Sequence, residues 1–180
     1  GVISADLSLY ADDFRAGERT FSLLTQVVGR AGRGTMKGRA VIQTYTPQNE
    51  VIALAAAQNY DRFYDAEIRL RKLRNCPPFE DLFTLAFSGE RETAVLAACR
   101  KTKKQLEIAF ERQGFQFRPS ILGPAPAPVV KLNNRYRYRL MILCENRKIM
   151  RRLFSGILTC FQKDEENRGV SLFIDVNGIE

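Results

Sequence analysis

Hydrophobic and polar residues recur with two different periods along this chain, and the periods predict where its helices and strands lie. Apolar residues spaced three or four positions apart are typical of amphipathic helices, and this spacing covers four stretches: 14–31, 49–73, 91–113 and 147–162. Runs with alternating or β-branched residues predict strands at 40–45, 82–88, 121–132, 135–144 and 170–176. The chain is therefore expected to mix helices and strands.

A proline pair divides this pattern. Asn75, Cys76, Pro77 and Pro78 end the long helical stretch, so the domain boundary is predicted there. The elements after the break follow the order β-α-β-β-α-β, which is the order of a ferredoxin-like split βαβ sandwich. Three prolines, at 124, 126 and 128, confine its second strand to an irregular or edge position because proline has no N–H to donate.

Composition narrows the function classes. The chain has 28 basic and 20 acidic residues, and its formal net charge of +8 suits a polyanionic partner. Its apolar runs are too short to span a bilayer, so no membrane partner is expected. It has no histidine, and its four cysteines form no Cys-x-x-Cys pair, which argues against a zinc site and His-dependent catalysis. The cysteines are expected to be buried thiols.

The first candidate site comprises Gln26, Arg30 and Arg33. At about 100° per residue these three lie on one side of the helix predicted at 14–31, opposite its apolar side. Two guanidiniums and an amide suit a polyphosphate, and Gly29 allows a partner to approach closely. The alternative is a solvated polar face.

The residues at 26–33 have the spacing Q-x-x-G-R-x-G-R, which resembles motif VI of superfamily 2 helicases. The resemblance implies that Arg33 and Arg30 are catalytic, with Arg33 on the γ-phosphate of ATP. It also implies that Gln26 and Gly29 belong to the same nucleotide site. The chain has neither a G-x-x-x-x-G-K-[ST] loop nor a D-E-x-H type magnesium motif. ATP and Mg²⁺ are therefore expected in the full-length protein, and this chain alone is predicted to be inactive.

Further segments resemble the PriA family of bacterial replication-restart DNA helicases. They are Ala-Asp-Leu-Ser-Leu at 5–9, Val-Ile-Gln-Thr-Tyr at 41–45, Pro-Pro-Phe at 77–79, Gly-Pro-Ala-Pro-Ala-Pro at 123–128 and Arg-Tyr-Arg-Tyr at 135–138. The resemblance covers nearly the whole chain and implies a C-terminal fragment of a longer protein. The opening residues 1–5, which read as the middle of a strand, also favour a fragment.

This resemblance implies an α/β architecture in three parts. Residues 1–50 would end a RecA-like helicase lobe 2, residues 51–76 would be a solvated helical connector, and residues 77–180 would form an α+β domain like ribosomal protein S10. It implies an ATP-dependent helicase that recognises branched DNA and restarts stalled replication forks in the bacterial cytoplasm, together with other primosome proteins. The family binds zinc, but its zinc ligands are absent from this chain.

The second candidate site lies on the strand predicted at 135–144. Arg135, Arg137 and Arg139 alternate with Tyr136 and Tyr138, so the arginines share one face of the strand. The arginines are about 7 Å apart, which is similar to the spacing of neighbouring phosphates in a single nucleic-acid strand. With Lys131 they are predicted to bind DNA. The family resemblance implies binding to DNA forks and single strands. The alternative is a solvated sheet face above a tyrosine-containing core.

A third candidate site is the pair Arg147 and Arg151. The two residues are four positions apart on a predicted helix, beside its apolar stripe. Such a pair can receive an acidic peptide that ends in an aromatic residue and a carboxylate. The resemblance implies the acidic tail of single-stranded-DNA-binding protein, and the alternative is ordinary surface charge.

Two other functions remain compatible with the sequence. The chain could be a non-enzymatic nucleic-acid-binding module with a ferredoxin-like domain, in which case Arg30 and Arg33 would contact nucleic acid. It could also be a structural interaction protein with an incidental basic face, which would show no salt-dependent DNA affinity.

Overall fold

The computed structural model describes residues 1–31, 39–113, 119–145 and 148–178. The chain forms two compact units, which meet in the sequence at Arg74 and Asn75, close to the proline pair. The described residues of the N-terminal unit form four helices: α1 (Asp6–Leu9), α2 (Ala16–Ala31), α3 (Glu50–Ala56) and α4 (Tyr60–Leu73).

The core of the N-terminal unit forms where α2, α3 and α4 meet. Phe21 and Leu24 supply the buried side of α2, as the periodicity predicts, and Ile52 comes from α3. Phe63 of α4 stacks on Phe21 with 4.1 Å between the ring centroids. A stacked aromatic pair of this kind adds to the stabilisation from burial alone.

The prediction of a single helix from 49 to 73 is wrong, because the structure has two helices there, α3 and α4. Gln58 has a positive φ of 52°, which ends the helical run. The side chain of Asn59 then accepts a hydrogen bond from the backbone N–H of Arg62 and caps α4. The prediction that residues 51–76 form a solvated connector is also wrong, because Phe63 is buried in the core of the N-terminal unit.

The strands expected at 1–5 and 40–45 shrink to one parallel bridge between Val2 and Ile42. The carboxylate of Asp6 accounts for the difference. It accepts hydrogen bonds from the Tyr45 N–H and from the hydroxyls of Thr44 and Thr46, at 2.9–3.0 Å. These bonds fold residues 44–46 around Asp6 and away from an extended ladder.

The C-terminal unit confirms the predicted β-α-β-β-α-β order. Its elements are β1 (Asp81–Gly89), α5 (Glu92–Gln113), β2 (Ser120–Leu132), β3 (Arg135–Cys144), α6 (Lys148–Lys163) and β4 (Val170–Val176). The four strands pair antiparallel in the order β2-β3-β1-β4, which is the ferredoxin-like arrangement. The fold class predicted for this part of the chain is therefore correct.

The two helices of this unit pack on one face of the sheet. Phe83, Leu85 and Phe87 of β1 alternate into this core with Leu140 and Ile142 of β3. Facing them are the apolar stripes of α5 and α6, from Val95, Leu106, Phe110, Met150, Phe154 and Phe161. Every second residue of the strands therefore points to the opposite face, which we call the open face.

Strand β2 lies at the edge of the sheet, as its prolines predict. Its register against β3 shifts twice, between Leu122 and Ala125 and between Pro126 and Lys131. Gly123 adopts a φ of 106°, and a Cβ there would lie 2.6 Å from the carbonyl oxygen of Arg139. The Gly-Pro-Ala-Pro-Ala-Pro segment thus needs its glycine for a close approach of two backbones.

Candidate nucleic-acid interface

The three arginines of β3 lie on the open face. Residues directly opposite each other in antiparallel strands share a face, so the register defines rows across the sheet. One row runs from Arg137 through Ser88 of β1 to Ser171 of β4. The next runs from Arg139 through Ala86 to Phe173. The alternation read from the sequence is therefore confirmed.

Arg135 is bound across this face. Its Nε donates to the hydroxyl of Ser88 at 3.0 Å, and its Nη2 donates to the carbonyl of Ser88 at 2.8 Å. The same Nη2 reaches the hydroxyl of Ser171 at 3.2 Å. The guanidinium therefore joins β3 to β1 and β4 and has a fixed position on the sheet.

The arginines are not presented alike, and this corrects the expectation of three equivalent phosphate contacts. Arg139 lies on an interior strand of the sheet and is only 5% exposed. Arg137 is half-buried, and it makes no hydrogen bond or ion pair with any other residue that the structure describes. Arg137 is the arginine of the row best placed to bind an anion.

Lys131 does not join the arginines. It pairs with Tyr136 in the register, and its Nζ lies 4.7 Å from the centre of that ring. Tyr136 belongs to the opposite side of β3 from the arginines. The predicted set of four DNA contacts is thus split between the two faces of the sheet.

Tyr138 serves the core and is unavailable for stacking on bases. Its ring packs against the C-terminal core, and its hydroxyl donates to the carboxylate of Glu92 at the start of α5. This hydrogen bond, with burial, raises the pKa of Tyr138 above its usual range. Tyr138 therefore has a structural role, as its position on the same face of β3 as Leu140 and Ile142 favours.

Sequence reasoning missed an aromatic residue on the open face. Phe173 of β4 is 65% exposed, although Leu172 and Ile174 on either side pack against the core. Leu122 and Leu132 of β2 are also about half exposed. The alternation in β4 was the available signal, because it directs Phe173 outward once its neighbours are placed inside.

Three of the residues predicted to form a nucleotide site lie near the end of α2. Gln26, Gly29 and Arg30 are exposed, on the side of the helix away from Phe21 and Leu24. Gln26 and Arg30 line a cavity of about 510 Å³ beside the N-terminal segment. Arg33 lies outside the described residues.

Gly29 lies close to the turn between α3 and α4, and the approach of a bound partner to this glycine stays a prediction. A Cβ at this position would lie 3.2 Å from Nε2 of Gln58, in the turn between α3 and α4. The same Nε2 lies 3.5 Å from the carbonyl oxygen of Thr25. The glycine therefore allows α2 to sit close to that turn.

The pair proposed for an acidic peptide is only partly described. Arg151 is exposed on α6, beside the buried stripe that includes Met150 and Phe154. Arg147 lies outside the described residues, so the geometry of the pair stays a prediction.

The cysteines only partly follow the expectation of buried thiols. Cys99 and Cys144 are buried, and burial raises the pKa of each to about 12. Cys160 is exposed on α6, which corrects the expectation for that residue. Among the described residues, no three Cys, Asp or Glu side chains are grouped to hold a metal ion. None of the described helices is long and apolar enough to cross a membrane.

The C-terminal unit is thus a small α+β domain with a ferredoxin-like fold and arginines on the open face of its sheet. Residues 72–179 match the model of one family, the primosomal protein N C-terminal domain. Because the match covers more than half of the chain, the chain belongs to this family.

Several known proteins similar to this chain are named replication restart protein PriA. It is 34% identical over 177 residues to the replication restart protein PriA of Bacillus subtilis, an alignment that covers 98% of this chain and 21% of that protein. It is 40% identical over 147 residues to the protein of that name from Rickettsia prowazekii, covering 82% of this chain and 22% of that protein. It is 40% identical over 142 residues to the protein of that name from Synechocystis sp., an alignment that covers 79% of this chain and 16% of that protein. The chain thus spans about a fifth of the length of the curated relatives it matches.

Proposed function

We propose that this chain is the C-terminal part of an ATP-dependent DNA helicase that recognises branched DNA and restarts stalled replication forks. In this proposal the chain supplies two things: the motif VI arginines Arg30 and Arg33, and a domain that binds DNA and partner proteins. The whole protein would act in the bacterial cytoplasm with other primosome proteins.

The observation that carries the proposal is the placement of Arg135 and Arg137 on an open sheet face in a domain of this family. Arg135 is held rigidly by its bonds to Ser88, while Arg137 has no partner among the described residues. Arginine presents planar donors that match phosphate oxygens, so a fixed guanidinium beside a free one suits a phosphate backbone. The excess of basic residues acts in the same direction over longer distances.

The direct test is the affinity of the 180-residue chain for a labelled three-way fork, measured by fluorescence anisotropy. Arg137→Ala should weaken binding several-fold, because a phosphate contact is lost. Arg100→Ala is the matched control, since Arg100 is exposed on α5, on the helix-covered side of the same sheet. Equal weak binding by wild type and both variants would contradict the proposal.

The nucleotide part of the proposal concerns the longer protein. Support comes from the Q-x-x-G-R-x-G-R spacing at 26–33 and from the exposure of Gln26 and Arg30 on α2. An arginine on the γ-phosphoryl group can contribute a thousandfold or more, in order of magnitude, to the rate of phosphoryl transfer. Arg33→Ala in the intact protein should therefore abolish DNA-stimulated ATP hydrolysis while leaving fork binding intact, and unchanged hydrolysis would contradict the assignment.

The proposal also includes binding of the acidic tail of single-stranded-DNA-binding protein by α6. It rests on the exposure of Arg151 and its position beside the apolar stripe of α6. A labelled acidic peptide ending in Phe and a free carboxylate should bind the wild type and lose affinity with Arg151→Ala. If the affinity of that variant is unchanged, the acidic tail binds another surface.

A further inference from the structure

We propose that the open face binds single-stranded nucleic acid by stacking a base on Phe173, with Arg137 holding a phosphate of the same strand. This inference rests on the function proposed above and deepens it, because it names the form of nucleic acid that the face selects and an aromatic residue that reads it. The occupant is a single strand of DNA.

The first observation is the exposure of Phe173. Its side chain is 65% exposed in the middle of β4, where a phenylalanine that served only the core would be buried. Its partner in β1 is Ala86, whose side chain is a single methyl group. The small neighbour leaves the ring accessible from above the sheet.

The second observation is the charge next to this ring. Phe173 shares its row with Arg139, and Arg137 stands in the adjacent row. Neighbouring strands are about 4.8 Å apart, so β3 lies about 10 Å from β4 across β1. An arginine side chain on β3 can therefore reach the phosphate of a nucleotide whose base lies on Phe173.

An acidic residue on the open face limits where a phosphate backbone can run. Asp175 is the only acid among the described strand residues of the open face, and it lies in the row beyond Phe173, opposite Thr84. A phosphate backbone is thus repelled at that end and attracted toward Arg137. The base would then lie over Phe173 with its phosphate on the arginine side.

This arrangement selects single strands over duplex DNA. In a duplex each base is already stacked on its neighbours, and its face cannot lie on a side chain without being extruded. A free strand can place any base on an aromatic ring, and stacking of this kind tolerates sequence. A four-stranded sheet that stacks bases on exposed aromatic residues is a known mode of single-strand recognition.

The test uses fluorescence anisotropy of the 180-residue chain with labelled oligothymidine and with a blunt duplex of the same length. Phe173→Ala should weaken oligothymidine binding about tenfold and change duplex binding little. Phe173→Leu keeps the apolar bulk without the ring, and its affinity for oligothymidine should be as low as that of the alanine variant. Phe173→Tyr keeps the ring and should bind like the wild type. Because Phe173 is exposed, these variants should melt at the wild-type temperature.

A second readout follows from the absence of tryptophan in this chain. Phe173→Trp introduces one fluorophore, and its emission should be quenched when unlabelled oligothymidine binds. Ile108→Trp is the control, since Ile108 is exposed on α5, on the helix-covered side of the sheet. Its emission should change little.

The outcomes separate this inference from the function on which it rests. If no oligonucleotide or fork binds the wild type, both fail. If binding depends on Arg137 but Phe173→Leu binds like the wild type and the Phe173→Trp variant shows no quenching, the phosphate contact stands and stacking is overturned. If Phe173→Ala instead breaks a dimer in sedimentation and leaves nucleic-acid binding unchanged, the face pairs with a second copy and the inference is wrong.

Discussion

The guanidinium of Arg135 donates a hydrogen bond to the backbone carbonyl of Ser88, 2.8 Å away. With the bonds to the hydroxyls of Ser88 and Ser171, this contact ties β3 to β1 and β4 across the open face. Arg137, two residues along the same strand, makes no such contact among the described residues. The same residue type therefore has a structural role at one position and an available charge at the next.

This difference predicts that Arg135→Ala lowers stability and Arg137→Ala does not. Loss of the Arg135 bonds should cost about 1–3 kcal/mol of unfolding free energy, since each is a hydrogen bond from a charged donor. Arg137→Ala should stay within about 0.5 kcal/mol of wild type, because its side chain has no partner among the residues that the structure describes. Urea unfolding of both variants checks the pair, and equal losses would contradict the distinction.

A second prediction concerns an ion pair in the N-terminal unit. Arg71 of α4 contacts Glu67 at 2.8 Å and Glu18 of α2 at 2.8 Å, and only 14% of its side chain is exposed. Burial lowers its pKa, but the bonds to the two carboxylates outweigh burial and raise the pKa overall.

Arg71→Ala should therefore lower the unfolding free energy by about 1–3 kcal/mol, since Glu67 would be left half-buried without its partner. Arg69→Ala is the control, because Arg69 is exposed on the same helix and its substitution removes the same charge. Thermal unfolding followed by circular dichroism separates the two. An equal effect of both substitutions would show that net charge, and not the ion pair, sets the stability.

A third prediction tests the glycine of the proline-rich segment. Gly123→Ala should destabilise the C-terminal unit, because the new Cβ would lie 2.6 Å from the carbonyl oxygen of Arg139 at a φ of 106°. Gly156→Ala is the matched control. Gly156 lies inside α6, and apart from the nearby backbone of that helix no atom of the described residues lies within 4 Å of the new Cβ, so that change should stabilise by about 0.5–1 kcal/mol. Melting temperatures that move in the same direction would contradict this account.

A fourth prediction is a pH dependence at Asp6. Burial tends to raise the pKa of this carboxyl, but hydrogen bonds from Tyr45 N–H, Thr44 and Thr46 outweigh it and hold the pKa below its ordinary value of 3.8. A lowered folded-state pKa means that the contribution to stability is complete above pH 3.8 and is lost as the pH falls through the lowered value.

Asp6→Asn should therefore melt below wild type at pH 7, and the difference should shrink as the pH falls below 3.8. Melting curves of both proteins between about pH 7 and pH 3 measure it. A difference that stays constant across this range would contradict the assignment to the ionised carboxylate.

The sequence predicts the C-terminal fold well because each of its elements has a clear period and a clear stop. The alternation of Arg135 to Ile142 defines both faces of β3, and the prolines assign β2 to the edge. The N-terminal unit was less predictable. Its helix break depends on a single left-handed residue, Gln58, and an Asn59 cap inside a continuous apolar pattern.

The candidate site was predictable only in part, because periodicity gives the face of a side chain and not its neighbours. It placed three arginines on one face but could not show that Arg139 is buried or that Arg135 is bound to Ser88. Phe173 was missed, since a lone phenylalanine among apolar strand residues is more often part of a core. Register across strands, which brings Phe173 beside the arginine rows, depends on the assembled sheet.

The salt dependence of fork binding tests the central claim most directly. For the 180-residue chain, the logarithm of the association constant should fall linearly with the logarithm of the salt concentration. The slope should become shallower by about 1 in Arg137→Ala and stay at the wild-type value in Arg100→Ala. A slope that is unchanged in Arg137→Ala would contradict the claim that the open face of the sheet holds the DNA backbone.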